Sequence, residues 1–448
     1  MQLPSSVTQA LAMLKAGGHE AYVVGGCVRD RLRGAEPADW DIATSALPEQ
    51  TLEIFSAYRC VETGLRHGTV TVWIGEMPLE ITTYRVDSGG HDHRHPDEVH
   101  FTPSLREDLA RRDFTVNAIA YSPESGIVDP FGGQRDLAAG LLRCVGEPDR
   151  RFEEDALRLL RALRFSSVLG FSIEDRTAAA LHRRKELLRS LSAERVRKEL
   201  LRLICGRYAA FVLRGYPDVI GTVLPEILPM VGFDQCNPHH LYDVYEHTLH
   251  ALEAIAPQPV LRMTMLLHDS GKPASFTMDE EGIGHFYGHQ AISERLARQI
   301  MERLKFDHVS AQRILALIRW HDADLVPTDA CLRRWLNRLT EDGLRQLLQV
   351  KRADNLAQHP DYRDRQQEID RLEEALENLL ARKPCFTLRE LAVNGKDLIA
   401  AGISPGPEMG HLLRLLLDAV IEGRCPNDKD ALMALIPSLV PKSTTSNF

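Results

Sequence analysis

The 448-residue chain has eight cysteines but no C-x-x-C pair. Cys27, Cys60, Cys144, Cys205, Cys236, Cys331, Cys385 and Cys425 lie singly, which excludes a disulfide framework and a zinc ribbon. No uninterrupted apolar run approaches the roughly 18 residues of a membrane span, so none is expected. The start, Met1-Gln2-Leu3-Pro4, lacks a basic stretch leading into an apolar one, so no signal peptide is expected. These absences together predict a protein of the reducing cytoplasm. Aromatic residues are only 6%, which argues against a wide base-stacking surface. The net charge of −9 excludes a molecule coated in basic surface. A nucleic-acid reader of this composition would have to concentrate its positive charge locally.

Hydrophobic residues make up 44% and charged residues 26%, as in ordinary globular proteins, and the length suggests roughly two to four domains. The fold expected is an α/β head followed by an all-α remainder. Ala21-Tyr22-Val23-Val24 is a short strand closed by Gly25-Gly26, and a helix runs from Val28 to Leu32. Ile42 lies in a second strand. Thr44 or Ser45 can then cap a helix with Pro48 in its first turn. Thr69 to Tyr84 alternates as a hairpin about Gly75-Glu76. From about Phe152 the spacing is helical, over Phe152–Leu169, Ala193–Ile204, Val244–Ile255, Leu261–His268, Ala291–Leu304, Ala311–Trp320 and Arg365–Ala381. No strand is expected there. Between Arg143 and Arg202 there are 15 Lys and Arg against 10 Asp and Glu, a positive stretch in an acidic chain.

Gly25-Gly26-Cys27-Val28-Arg29-Asp30 ends the first strand. Two glycines there let the backbone approach a phosphate, and the next helix aims its N-terminal amides at the anion. Arg29 adds a fork of donors. Alone, the same pair reads more readily as a plain tight turn. Asp39-Trp40-Asp41 follows. Within a strand, residues two apart point to one side, so the acids would form a paired carboxylate site. Such a pair repels itself unless a cation lies between, and Mg²⁺ favours carboxylates plus phosphates. Glu80, in the hairpin, reads equally as a third carboxylate or as a salt-bridged surface residue.

GGxVRD, the nearby D-x-D, and Arg111-Arg112-Asp113-Phe114-Thr115-Val116-Asn117-Ala118, taken together and in order, resemble the class II tRNA nucleotidyltransferases. These are the CCA-adding enzymes related to bacterial poly(A) polymerases. The resemblance runs from about Ala21 to Arg202 and more loosely to the end. It implies a nucleotidyltransferase head at 1–140, a neck of nucleotide-selecting and RNA-binding helices at 141–205, a body at 206–365 and a tRNA-binding helical tail at 366–448. It implies that Gly26 and Arg29 touch the nucleotide phosphates, that Asp39 and Asp41 hold two Mg²⁺ ions, that Arg112 binds the nucleotide, and that Asp113 accepts from the ribose 2′-hydroxyl. The partners implied are tRNA, CTP and ATP, with no membrane, and nothing in the sequence sets an oligomeric state.

Glu154, Asp155 and Arg158 form the pattern EDxxR, and Arg158, Arg161 and Arg164 recur every three residues. Three residues turn about 300° on a helix, so this row lines one side, with Leu157, Leu160 and Leu163 packed nearby. The resemblance assigns Asp155 and Arg158 to the incoming base. Cytosine and adenine both present an amino donor beside a ring-nitrogen acceptor, which one carboxylate and one guanidinium satisfy. Uracil and guanine present a carbonyl where the amino group should be. A mismatched buried polar group costs about 1–3 kcal/mol. Arg161 and Arg164 then help bind the nucleotide or its phosphates. Enzymes that add only CC have a shortened loop at the position of Asp87 to Phe101. Here that loop, with Asp92-His93-Arg94-His95-Pro96-Asp97, is full length, which favours complete CCA addition. A-only or poly(A) addition stays open. Asp129-Pro130-Phe131-Gly132-Gly133 reads as structural.

His247, His268-Asp269, His289, His321 and Asp354 resemble the ligand series of an HD domain. That implies a second site for a divalent metal, with transition metals among the candidates, able to hydrolyse phosphoesters. A plausible substrate is a nucleotide or a 2′,3′-cyclic phosphate. A phosphohydrolase whose head merely binds nucleotide is thus the competing reading. Asn237-Pro238-His239-His240 carries no assigned role.

Overall fold

The computed structural model describes residues 1–88, 98–238, 241–363 and 365–439. The chain divides into two compact units, Met1–Leu228 with Arg303–Lys305, and Pro229–Glu302 with Phe306–Phe448. Most of the loop expected to govern complete CCA addition, at 89–97, lies outside the described residues, as do His239 and His240.

The first unit opens with α1 (Ser5–Ala16), whose Val7, Ala10, Leu11 and Leu14 recur at helical spacing and are buried. The elements that follow are β1 (Ala21–Val24), α2 (Gly26–Leu32), β2 (Asp41–Thr44), α3 (Pro48–Ile54), β3 (Arg59–Gly64), β4 (Thr69–Ile74) and β5 (Met77–Thr83). Then come β6 (Arg85–Ser88), β7 (Glu98–Phe101), α4 (Leu105–Ala110), β8 (Ala120–Ser122), β9 (Gly126–Val128) and α5 (Gly133–Ala138). Seven strands form one mixed sheet in the order β3-β4-β5-β2-β1-β8-β9. Only β2 and β5 pair in parallel, and their register sets Asp41 beside Glu80. The hairpin β4–β5 keeps Val70, Val72, Ile74, Leu79 and Ile81 in the core, as alternation requires. One core cluster joins α1, α2, β2, β4 and β5; a second gathers Val24, Ala43, Tyr84, Leu109, Ala118, Ala120 and Val145.

Three local expectations are corrected. β2 starts at Asp41, so Asp39 precedes the strand instead of sharing it. The residue capping α3 is Leu47, with Gln50 accepting from its backbone N–H; Thr44 ends β2, and the Ser45 hydroxyl accepts from Glu20 N–H. The helix expected over Phe152–Leu169 is two helices, α6 (Pro148–Glu154) and α7 (Leu157–Leu169), broken at Asp155, whose backbone is extended at φ −149° and ψ 104°. α8 (Asp175–Arg184) and α9 (Ala193–Ile204) follow.

Asp129 holds the start of α5 by accepting from Gly133 N–H at 2.7 Å and Gln134 N–H at 2.9 Å. A Cβ on Gly133 would lie 2.2 Å from the Thr115 carbonyl oxygen, so the D-P-F-G-G turn is a packing device. Beyond the head the chain is helical apart from two strand pairs of two residues each, Leu141–Leu142 with Ser172–Ile173 and Thr277–Met278 with Gly284–His285. In the second unit the helices Val244–Ala254, Pro259–Leu267, His289–Arg303 and His308–Trp320 match expectation to within a few residues. The helix Asp329–Leu356 was not anticipated, and it carries a kink at Thr340 (φ 68°). Helices Gly395–Ala400, Pro407–Ile421 and Lys429–Leu439 pack around a separate leucine-rich core.

Candidate active site

A cleft of 620 Å³ in the first unit gathers Gly26, Arg29, Asp39, Asp41, Arg112, Asp113, Asp155, Arg158 and Arg161. Nine of the ten residues expected to act there therefore share one space. Arg164 is the exception: its Nε donates to Glu199 at 2.5 Å and its guanidinium lies 3.9 Å from the centre of the Phe165 ring.

Asp39 and Asp41 are the first carboxylates of the cleft. Burial pushes the Asp41 carboxyl up to about 6, and the charges of Asp39 and Glu80 add to it while Arg112 pulls the other way. A half-buried acid flanked by two more is poised to lose its proton to a cation. Hard divalent ions with oxygen preference fit that donor set, together with substrate phosphate oxygens. Arginines of the same cleft supply cations. Arg29 is buried, donating to Asp30 at 2.8 and 2.9 Å and to Asn117 Oδ1 at 2.7 Å. Those bonds use three of its five N–H donors and leave two for a phosphate. Arg112 is held by the buried Asp108 at 3.3 Å, and Arg111 by the same carboxylate at 2.8 Å. Gly25 sits at φ 76° and ψ −129°, and a Cβ there would come within 2.8 Å of Arg112 Nη1, so glycine keeps that arginine in place.

Asp113 is wholly enclosed. It accepts from Phe114 N–H at 2.8 Å, Asn117 Nδ2 at 3.0 Å and Arg161 at 2.8 and 2.6 Å. Burial alone would raise its carboxyl, but Arg161 and Asn117 outweigh it and hold it down at about 2. Four bonds occupy the four lone-pair sites of a carboxylate. A ribose hydroxyl would have to displace one of these donors, so in this arrangement Asp113 is the anchor of Arg161 and Asn117.

Asp155 and Arg158 line the same cleft. Asp155 Oδ1 accepts from Leu157 N–H at 3.0 Å, and both its oxygens face Arg195, at 3.1 and 3.3 Å. Arg158 donates to Glu154 at 2.9 Å, to the Arg151 carbonyl at 3.2 Å and to the Arg111 carbonyl at 2.8 Å. Two of its five N–H groups remain. The sequence reading did not single out Asp108, Phe165, Arg195 or Glu199. Asp108 had a local signal, since it lies three and four residues before Arg111 and Arg112. Phe165 sits on the arginine row of α7, with Arg29, Arg161 and Arg164 around its ring at 5.2, 5.3 and 3.9 Å. Arg195 and Glu199, on α9, had none.

The second unit brings together all six residues of the HD-like series. Asp354 Oδ1 lies 2.9 Å from His247 Nε2 and 3.2 Å from His268 Nε2. Asp269 lies 3.3 Å from His268 Nε2 and 3.3 Å from His289 Nε2, and the His289 and His321 Nε2 atoms face each other at 3.2 Å. Each imidazole turns its Nδ1 to a backbone carbonyl: His247 to Ala357, His268 to Met265, His289 to Phe286 and His321 to Ile318. Those bonds fix the tautomer and leave the four Nε2 atoms converging, as metal-binding histidines require. Burial would neutralise the cluster. The charges of Asp269 and Asp354 nevertheless outweigh it at His268, raising that imidazole to about 10, while His321 is pushed down to about 4 by burial and by His268. A 540 Å³ cavity opens onto Asp269, His289, His321 and Asp354, with Lys272 and Arg365 on its wall. Asn237 also lines it, donating to the Gly284 carbonyl at 2.9 Å.

Among the described residues no helix is long and apolar enough to cross a membrane. Residues 21–143 match the family described as the Poly A polymerase head domain. Residues 170–215 match the probable RNA and SrmB-binding site of polymerase A, and residues 275–436 match the putative tRNA nucleotidyltransferase domain 2. The chain is 33% identical over 445 residues to the CCA-adding enzyme of Lactobacillus helveticus, covering 98% of both. It is 35% identical over 426 residues to that of Levilactobacillus brevis, covering 95% of this chain and 96% of the relative. Its fold matches the crystal structure of the Bacillus stearothermophilus CCA-adding enzyme in complex with CTP, with a TM-score of 0.72, 30% identity and 98% of both chains covered. The Thermotoga maritima CCA-adding enzyme complexed with tRNA shares the fold at a TM-score of 0.58 and 20% identity, over 98% of this chain and 97% of that one.

Proposed function

The chain belongs to the family of CCA-adding enzymes, and from that premise we propose a role for each residue of its cleft in adding cytidine and adenosine to the 3′ end of tRNA from CTP and ATP. Complete CCA addition takes precedence over A-only or poly(A) addition because relatives matched along almost the whole chain bear that name. The observation that carries the reading is one cleft lined by Asp39 and Asp41 together with Asp155 and Arg158.

The terminal 3′-hydroxyl of tRNA attacks the α-phosphorus of the bound nucleotide. A new O–P bond forms, the hydroxyl gives up its proton to solvent, the bond to the β-phosphate oxygen breaks, and pyrophosphate leaves with the electron pair. Asp39 and Asp41, with Glu80 beside them, would hold Mg²⁺, two ions in this reading. Bound there, the metal supplies charge neutralisation for the triphosphate and acidifies the attacking hydroxyl. Arg29 and Arg112 bind phosphate oxygens with the donors that Asp30, Asn117 and Asp108 leave unused. Asp155 accepts from the exocyclic amino group of cytosine or adenine, and Arg158 donates to the neighbouring ring nitrogen. Arg161, held by Asp113, lends positive charge to the nucleotide. The division into head, neck, body and tail at 1–140, 141–205, 206–365 and 366–448 belongs to the same proposal, as does a cytoplasmic location, which suits eight unpaired cysteines.

Incubating the protein with tRNA that ends before CCA, and separately with tRNA that ends in CC, tests the function directly. The first should gain three nucleotides from CTP and ATP together, and the second one from ATP alone. Extension of the second by a run of A, or none of the first with CTP, would overturn it.

A second reading concerns the histidine cluster and rests on the four Nδ1–carbonyl bonds. Its Nε2 atoms, with Asp269 and Asp354, would hold a divalent metal and support hydrolysis of a phosphoester, with a nucleotide or a 2′,3′-cyclic phosphate as the substrate. Asp269→Ala should remove bound metal, read by elemental analysis, together with any phosphodiesterase activity, while CCA addition persists. A variant that keeps its metal would refute this site.

A further inference from the structure

Asp155 needs an external hold. It sits at the break between α6 and α7 in extended backbone, and the helices hold only its Oδ1, through the Leu157 N–H at the start of α7. Its carboxylate must nevertheless point one way if it is to tell an amino group from a carbonyl. The hold comes from α9, which packs against α7. Arg195, in the first turn of α9, places one Nη2 within 3.1 and 3.3 Å of both Asp155 oxygens. One turn later on the same helix, the buried Glu199 takes Arg164 at 2.5 Å. The face of α9 turned to α7 therefore carries one donor for the base-reading acid and one acceptor for the arginine row.

Counting bonds shows what the hold achieves. Oδ1 accepts twice, from Leu157 N–H and from Arg195, and Oδ2 once, from Arg195. A carboxylate has about four lone-pair sites, so one remains, on Oδ2. Asp155 is thereby reduced from a freely rotating anion to a single directed acceptor. Arg195 has a further property. It lines the cleft, and its Nη1 is shielded from solvent yet has no hydrogen-bond partner among the described residues. A buried donor of this kind is costly unless something accepts from it. Its guanidinium is tied to the base-reading carboxylate, so the acceptor it lacks is best supplied by a nucleotide in the cleft.

We propose that Arg195 is a positioning residue for nucleotide choice, aiming the Asp155 carboxylate with Nη2 and donating from Nη1 to the bound nucleotide. The inference rests on the reading that Asp155 meets the base. It goes beyond that reading by giving a residue 40 positions away a share in discrimination. Lysine in its place would keep the charge but lose the planar fork that engages both partners together.

The test is nucleotide choice in the full-length protein with Mg²⁺ and tRNA lacking its end. The incorporation efficiencies, kcat/KM, for CTP against UTP and for ATP against GTP are compared in wild type, Arg195→Lys, Arg195→Gln and Asp155→Asn. Equilibrium binding of the same four nucleotides is measured alongside, so that a slow variant still reports its preference. The proposal expects Arg195→Gln to lower both ratios by at least tenfold, with KM for tRNA and the circular dichroism spectrum unchanged, and Arg195→Lys to restore part of the loss. A merely structural role would lower all four nucleotides together and leave the ratios as they are, which overturns the proposal. If Asp155→Asn loses discrimination while both Arg195 variants retain it, the inference fails and the reading of Asp155 stands. If Asp155→Asn retains it, both fall.

Discussion

Replacing Asp41 by Asn should make the protein more stable while abolishing nucleotide transfer. In the folded protein the Asp41 carboxyl is pushed up from 3.8 to about 6, by burial first and then by Asp39 and Glu80, against the pull of Arg112. Each pKa unit corresponds to about 1.4 kcal/mol, so the ionised acid costs the fold at most about 3 kcal/mol, and roughly 1–2 once solvent screening is allowed for. The folded value lies above the unfolded one. The penalty is therefore fully present above about pH 6, shrinks as pH falls, and is gone below about pH 4. Asn has the same shape and no charge. For a unit of this size the gain corresponds to an increase of roughly 2–8 °C in Tm. Thermal unfolding in EDTA at pH 8 should show it, and the difference should vanish near pH 4. Adding MgCl₂ at pH 8 should then raise the wild-type Tm by mass action and leave the variant nearly unchanged, closing the gap. A variant that melts below wild type in EDTA at pH 8, or that gains as much from Mg²⁺ as wild type does, would refute the view of this acidic cluster as a cation site that strains the free protein.

The remaining predictions concern the walls of the same cleft. Gly25→Ala forces a Cβ into a backbone conformation that costs about 1–3 kcal/mol and pushes against Arg112 Nη1 at 2.8 Å. The KM for CTP and ATP should rise severalfold or more, and an unchanged KM would remove Arg112 from phosphate binding. Arg158→Ala should lower the rate and also the discrimination against UTP and GTP. Losing hydrogen bonds worth about 1–3 kcal/mol predicts a change of roughly tenfold or more, and an unaltered base preference in single-nucleotide incorporation would count against this arginine as template.

The parts of the site carried by short sequence spacings were legible. Within each motif the residues lie a few positions apart, Gly26 and Arg29, Asp39 and Asp41, Arg158 and Arg161, so local spacing singles out each set, and the fold brings the three sets to one cleft. The β4–β5 hairpin was legible for the same reason, since alternation alone sets its buried face. The expected strand placement of Asp39 failed because the paired segment begins only at Asp41. The expected continuous helix through Asp155 failed because helical spacing on both sides concealed a two-residue break at Asp155 and Ala156, and Asp155 uses its own carboxylate to cap Leu157. What spacing could not reveal is tertiary pairing. Asp113 reads as a free acceptor in the motif, yet it is filled by Arg161, 48 residues later. Arg195 reads as one more surface charge in a basic stretch, yet it faces Asp155, 40 residues earlier. In the second unit the order of histidines and aspartates was enough to anticipate the cluster. The helix Asp329–Leu356 that delivers Asp354 was not anticipated, because its kink at Thr340 and the glycine at Gly343 interrupt the apolar period.

The central claim is that the acids at the head of the chain, and not the histidine cluster, drive nucleotide transfer. It is tested most directly by giving Asp39→Ala/Asp41→Ala protein and Asp269→Ala protein radiolabelled CTP and ATP with tRNA lacking its terminal CCA. The account predicts no extension by the first and extension to full length by the second. Extension by the first with none by the second would contradict it.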